Sequence, residues 1–312
     1  MSPTITHTPV MLREVIAGLN VQPGGRYVDG TVGAGGHAVA IMEAASPGGS
    51  LLAMDKDAAA LARAGLQLER FGADVQLVQG DYAEMGDVCR RLDFVPVHGI
   101  LLDLGLSSLQ LEESERGFSF QREGPLDMRF DVDQTLTAEQ IVNEYGEKEL
   151  AEILHRYGEE PRSRRIAQRI IERRPLRTTT ELAKVVEEAV GGRVRRQSHP
   201  ATRTFQALRI AVNQELLSLA DALPEAYGLL GDLGRLAVLS YHSLEDRIVK
   251  TFIQQESRDC LCPPRQPVCT CGHKAGLRQV SKGAVRPSPE EIADNPRSRS
   301  ARLRVAERLP AA

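Results

Sequence analysis

The stretch Asp29-Gly30-Thr31-Val32-Gly33-Ala34-Gly35-Gly36-His37 decides the fold. It follows the short apolar segment Arg26-Tyr27-Val28 and precedes a helical-looking run from Ala38 to Ala45. The pattern is strand, glycine-rich turn, helix. Glycines let a backbone approach a ligand closely and adopt positive φ. A helix N-terminus offers free N–H groups to polar ligand atoms. Twenty residues after Gly35, the run Leu51-Leu52-Ala53-Met54-Asp55 reads as a second buried strand ending in a carboxylate. An acidic residue at about that spacing holds a ribose hydroxyl in Rossmann-type sites. An adenosine-containing cofactor near the N-terminus is therefore expected.

The glycines alone do not choose the cofactor, because Gly33-x-Gly35-x-x-Ala38 also satisfies the relaxed dinucleotide fingerprint. Asp29 discriminates. A carboxylate at the end of the first strand repels a pyrophosphate and attracts a cation such as S-adenosylmethionine. That favours S-adenosylmethionine over a nicotinamide cofactor. A turn whose glycines serve only packing is the plainer alternative, and two acidic strand ends at this spacing count against it.

Working outward, the alternation continues. Asp57 to Phe71 reads as an Ala/Leu-rich helix, Val75 to Val78 as a third strand, and Gly99-Ile100-Leu101-Leu102-Asp103 as a fourth. Apolar runs of this kind suit a parallel sheet covered on both faces. Asp29, Asp55 and Asp103 each end a strand, and ligands in open α/β sheets bind at strand carboxyl ends. The alternation then breaks. Residues 105–129 are loop-rich, and long loops in compact domains tend to be functional. Helical patterns follow at Thr137 to Tyr145, Glu147 to Tyr157, Arg162 to Arg174 and Thr180 to Val190, the last stopped by Gly191-Gly192. A long helix from Thr202 to Leu223, ended by Pro224, then returns the chain to a fifth strand at Arg235 to Ser240. Leu244 to Glu256 reads as a helix, 258–298 as irregular, and 300–308 as a closing strand. The expected architecture is an α/β, Rossmann-like domain (1–105 and 210–312) interrupted by an all-helical insert (106–209).

The 312 residues carry a formal net charge of −3, which hides an asymmetry. Residues 1–155 hold 11 Lys/Arg against 24 Asp/Glu, whereas 156–209 hold 14 against 6. A concentrated basic block in an otherwise acidic chain points to a polyanion partner. Arg165, Arg169 and Arg173 share one helical face, with Arg162, Arg164 and Arg174 beside them and a later cluster of Arg193, Arg195, Arg196, His199, Arg203 and Arg209. With few acidic neighbours in sequence, they read as a phosphate-binding surface that gives affinity rather than sequence specificity. The absence of Trp argues against a large base-stacking platform. No segment is apolar enough to span a membrane and the N-terminus lacks a signal-peptide pattern, so the cytoplasm is expected.

Asp103-Leu104-Gly105 sits at the mouth of the expected crevice. A carboxylate there can accept a hydrogen bond from an amine and align its nitrogen for attack on an activated methyl group. Capping of the next loop is the alternative. Tyr82 either stacks on an adenine or is a half-buried tyrosine. His37 caps or packs, or else contacts a ligand, and the same choice is open for His242 in Ser240-Tyr241-His242-Ser243. Cys260-x-Cys262 and Cys269-x-Cys271, with His273 nearby, suggest a tetrahedral structural zinc site, with disulfides the weaker alternative in a cytosolic protein.

These residues, with further motifs, resemble the bacterial small-subunit ribosomal RNA cytosine-N4 methyltransferases, the MraW family. The resemblance runs nearly end to end through His7-Thr8-Pro9-Val10, the DGTVGAGGH turn, ILLDLGLSS (100–108), ERGFSF (115–120), GPLDMR (124–129), HPATRTFQA (199–207), SYHSLEDRIVK (240–250) and NPRSRSAR (295–302). It implies a Rossmann-like S-adenosylmethionine-dependent methyltransferase fold with an inserted helical substrate-recognition domain. It implies methyl transfer to the N4 of a cytosine in the decoding region of 16S rRNA, with the small ribosomal subunit as partner. Family cofactor positions fall on Gly35, Gly36, His37, Asp55, Tyr82, Asp103 and Gln110, and Asp103 is the catalytic candidate. Family members without the cysteine cluster exist, so no essential metal is implied. DNA amino-methyltransferases carry a Pro-Pro-aromatic motif where this chain has Asp103-Leu104-Gly105-Leu106. A cofactor-binding assembly factor without turnover and, more remotely, a nicotinamide oxidoreductase are the other readings. The GFSF and GPLDMR loop is the expected grip on a flipped base.

Overall fold

A computed structural model of the chain describes residues 9–107, 110–111, 113–191, 199–264, 266 and 268–310. His7 and Thr8, Ser108 of the ILLDLGLSS motif, and Arg193, Arg195 and Arg196 of the later basic cluster lie outside the described residues. The chain divides into two compact units: Met1–Gly105 with Leu216–Ala312, and Leu106–Glu215.

The first unit is built on one seven-stranded sheet. Its strands are β1 (Arg26–Asp29), β2 (Ser50–Asp55), β3 (Val75–Gln79), β4 (Val97–Asp103), β5 (Leu230–Ser240), β6 (Leu277–Gln279) and β7 (Arg302–Arg308). Their order is β3-β2-β1-β4-β5-β7-β6. The first five run parallel, and β7 is antiparallel to both β5 and β6. A two-residue period splits each apolar run between two cores. Ile100 and Leu102 of β4 join Val28, Leu52 and Val238 in one buried cluster. Leu101 joins Tyr27, Leu51, Ala53 and Leu239 in the other. A sheet covered on both faces requires this, and it is why the strands read as continuous apolar runs.

The strand order reverses between β1 and β4. In open α/β sheets the ligand crevice lies outside the carboxyl ends at that reversal. Asp29 and Asp103 close these two strands, and Asp55 closes β2.

Several elements differ from the sequence reading. The single helix expected from Thr202 to Leu223 is two helices, Thr202–Asn213 and Glu215–Leu229. Gln214 between them is left-handed, with φ 53°. Pro224 lies inside the second helix rather than ending it. A proline there costs a hydrogen bond and crowds the preceding turn, and burial of Leu219, Ala222, Leu223 and Ala226 offsets that cost. The segment read as irregular contains β6 and a short helix, Pro289–Asp294, capped by Ser288.

The second unit packs helices Ala138–Glu144, Glu147–Gly158, Ser163–Arg173, Thr179–Val190 and Thr202–Asn213 around one core. Thr137 and Thr178 cap two of these helices in reciprocal capping boxes. The unit ends at Glu215 rather than 209, because residues 209 and 210 fall inside a helix that packs along Glu147–Gly158. Among the described residues, no helix is long and apolar enough to cross a membrane.

Candidate active site

The glycine turn after β1 is shaped as much by protein packing as by ligand space. Gly35 has φ 93° and supplies the left-handed N-cap of helix Gly36–Ala45. A Cβ on Gly36 would lie 2.4 Å from Pro9 Cγ, so this glycine is needed by the chain's own N-terminal segment. A Cβ on Gly30 would meet Leu102 at 2.7 Å and Tyr82 Cβ at 3.0 Å, which places Tyr82 beside the end of β1. Backbone bonds tie the turn to its neighbours: Gly30 N–H donates to Leu101 O and Val32 N–H to Met54 O.

Each strand-end carboxylate has a defined setting. Asp55 accepts from Gly33 N–H at 2.8 Å through Oδ2 and from Asp57 N–H at 2.9 Å through Oδ1. Burial pushes its carboxyl up to about 6, with those N–H groups pulling it back. Asp29 is fully buried, and burial pushes it to about 7 against the pull of His37 and the Thr31 N–H. Its Oδ1 accepts from Thr31 N–H at 3.1 Å. Its Oδ2 is buried with no hydrogen-bond partner among the described residues. A buried carboxylate oxygen without a donor is costly, and a cationic ligand with N–H groups would relieve it.

Asp103 is the most tightly framed of the three. Tyr241 O–H donates to its Oδ1 at 2.7 Å, and its own N–H donates to Thr31 Oγ1 at 2.6 Å. Its Oδ2 faces His37 Nε2 at 3.4 Å. That is an ion-pair separation without hydrogen-bond alignment, and neither ring nitrogen of the buried His37 has a hydrogen-bond partner among the described residues. Burial, and then the Asp103 charge, hold the Tyr241 phenol well above its ordinary range. Tyr241 therefore stays a donor to Asp103 across the physiological range.

Asp81 sets the turn that carries Tyr82. Its Oδ1 accepts from Ala83 N–H at 2.9 Å, while its Oδ2 pairs with Lys56 Nζ at 2.6 Å and accepts from Ser218 O–H at 2.5 Å. The half-buried Tyr82 begins that turn.

The structure thus gathers Gly35, Gly36, His37, Asp55, Tyr82 and Asp103 in the first unit, at and beside the carboxyl ends of β1, β2 and β4. Gln110 belongs to the other unit, where its Oε1 accepts from Ser107 N–H at 3.0 Å and its N–H donates to Ser107 Oγ. Tyr241 and Thr31 went unnoticed in the sequence. The signal for Tyr241 was available, since it follows β5 as Asp103 ends β4. His242 Nδ1 accepts from Glu245 N–H and caps helix Ser243–Glu256.

One expectation for the helical unit needs correction. The basic residues do not lack acidic partners. Arg169 pairs with Glu172 and Glu188, Arg173 with Glu188, and His199 with Glu187. Arg209 makes a two-point bond to Glu215, 2.7 and 2.8 Å, in a nearly buried setting. Arg162 and Arg174 hold backbone carbonyls. Glu187 and Glu188 come from the next helix and were invisible along the chain, whereas Glu172 lies three residues from Arg169 in its own helix. Arg164 and Arg165 remain exposed with no partner among the described residues. The GFSF and GPLDMR segments are partly built into the unit's core. Phe118, Leu126 and Met128 are buried in the unit's core, Phe118 stacks on Phe130 at 5.4 Å, and Asn213 holds Met128 O and Phe130 N–H.

Comparison with known sequences gives a consistent result. The profile of the MraW methylase family matches residues 4–309. A ribosomal RNA small subunit methyltransferase H of Dehalococcoides mccartyi is 58% identical over 97% of this chain and 86% of its own. Proteins of the same description from Thermomicrobium roseum and Heliobacterium mobile are 53% and 50% identical over 97% of this chain, and over 94% and 99% of their own lengths.

Proposed function

The chain belongs to the MraW methylase family, and from that membership we propose that it methylates the exocyclic N4 amine of one cytosine in the decoding region of 16S rRNA. Its class, an S-adenosylmethionine-dependent methyltransferase on a Rossmann-like fold, follows from the family. The relatives' shared name supports a ribosomal RNA acceptor in the small subunit. The cytoplasm, where ribosomes work, is the corresponding location.

The cofactor fits the residues present. Asp29 Oδ2 lacks a donor, and an ammonium or sulfonium charge suits a carboxylate at this strand end. Gly35, Gly36, His37, Asp55, Tyr82 and Asp103 would hold the cofactor in the first unit, and Gln110 is carried over by family resemblance. When bound, S-adenosylmethionine supplies a methyl group already activated by its sulfonium charge.

The chain's own work is to position the acceptor. An aromatic amine is a weak nucleophile because its lone pair is conjugated. Asp103 would accept a hydrogen bond from the amino group, turn its lone pair toward the donor, and take the proton shed as the new C–N bond forms. Tyr241 fixes the carboxylate by occupying Oδ1. The basic stretch 156–209 of the helical unit, with 14 Lys/Arg against 6 Asp/Glu, would supply phosphate contacts.

The observation that carries this reading is the Asp103 carboxylate, anchored on one oxygen at the strand reversal of a family methyltransferase. Asp103→Ala should lower single-turnover methyl transfer by about 100-fold or more, with small-subunit binding unchanged. Unaltered turnover would show that the amine is held elsewhere.

A further inference from the structure

Between helix Ser243–Glu256 and β6 lies a stretch, 257–276, whose described residues form no regular secondary structure. It has little core of its own: Leu261 and Val268 are 43% and 71% exposed. A loop of this length in a compact unit is uncommon unless something holds it. Backbone bonds close its base, Gly276 N–H to Glu256 O and Ala275 N–H to the Asp259 carboxylate. The four cysteines Cys260, Cys262, Cys269 and Cys271 gather within it.

We propose that these four thiolates form a structural zinc site that staples the loop. All four sulfurs lie within 4.8 Å of one another. Cys260–Cys269 is 3.4 Å, Cys269–Cys271 3.6 Å, Cys271–Cys260 3.8 Å and Cys262–Cys269 3.9 Å. A zinc ion with four Zn–S bonds of about 2.3 Å puts its sulfurs about 3.8 Å apart along each tetrahedral edge. Four of the six separations fall near that edge length, and the other two stay within 4.8 Å. None of the four is in a disulfide.

Backbone N–H groups point at three of the four sulfurs. Leu261 N–H donates to Cys271 Sγ at 3.3 Å, Cys262 N–H to Cys260 Sγ at 3.4 Å and Thr270 N–H to Cys262 Sγ at 3.4 Å. Backbone N–H groups aimed at ligand sulfurs are the outer-shell support that orients them and stabilises their charge. His273 stands outside the group, since only the four sulfurs converge, and its Nε2 meets Gln255 O at 3.1 Å. Binding would release to solvent the proton of each cysteine still present as a thiol, up to four, as four Zn–S bonds form, leaving the site with a net −2 charge. All protein ligand positions are filled by sulfur, which marks a closed, structural site rather than a catalytic one. The buried Cys89 lies in an apolar core and takes no part.

The test is metal content and thiol reactivity of the full-length protein purified without chelator. The expected result is about one zinc per chain with sulfur-only coordination by X-ray absorption. Cobalt substitution should give thiolate charge-transfer bands. Cys260→Ser with Cys269→Ser should lose the metal and speed proteolysis within 257–276 while circular dichroism stays unchanged. A native protein that takes up no added zinc overturns the site, as does one whose cysteines are paired in disulfides by mass spectrometry. A double variant that keeps its zinc overturns it as well.

Discussion

Asp103 has one oxygen tied to Tyr241 and the other turned toward His37, and this asymmetry is what a positioning carboxylate needs. Tyr241→Phe keeps the ring and removes only the donor. It should cut turnover roughly tenfold, the equivalent of about 1.4 kcal/mol, through loss of one hydrogen bond to a charged group. The KM for cofactor should not change, and a KM effect alone would assign Tyr241 to binding instead. Asp29 adds a pH dependence. Its folded pKa, about 7, lies above the ordinary 3.8. The folded state thus holds the proton more tightly than the unfolded chain. This contribution to stability is present below the ordinary carboxylate range and is lost as pH rises toward 7. The ionised form is the one that attracts a cation. Cofactor affinity should therefore rise as pH climbs through about 7, with proton release on binding below that point. Calorimetry in buffers of different ionisation enthalpy measures this, and pH-independent binding without proton release would remove Asp29 from the site.

Among the elements, the sheet was legible because its strands are buried on both faces. Continuous apolar runs such as Ile100-Leu101-Leu102 can serve two cores only in that way. Caps at Thr137 and the stop at Gly191 marked helix ends through local chemistry alone. The break at Gln214 was not legible, since a left-handed glutamine has no sequence signature and Pro224 drew the boundary to the wrong place. Three strand-end aspartates were readable from position, whereas the Tyr241–Asp103 bond joins residues 138 positions apart and needed the fold. The arginine face misled for the same reason: Glu188 reaches Arg169 and Arg173 from the next helix. Arg164 and Arg165, without such partners, should carry the RNA contacts. Replacing that pair by Ala should flatten the log-affinity against log-salt plot by about 1 to 2 units. Replacing Arg169 and Arg173 should cost little stability, because exposed pairs contribute little, and change the slope less. Filter binding over a salt series separates the two, and equal slopes would deny Arg164 and Arg165 that role.

At the scale of the whole molecule, acidic and basic charge are sorted along the chain. Residues 1–155 carry the acidic excess, including the strand-end aspartates, and 156–209 the basic excess. An enzyme that binds a cationic cofactor at one place and a polyanion at another needs that sorting, because one surface cannot favour both. The most direct measurement follows one methyl group through both functions. Purified protein, methyl-labelled S-adenosylmethionine and small subunits lacking the modification are incubated together, and the RNA is digested and its labelled nucleoside identified by mass spectrometry. The account predicts N4-methylcytidine at a single position in the decoding region of 16S rRNA. Label on another base or atom, or none despite bound cofactor, would contradict it.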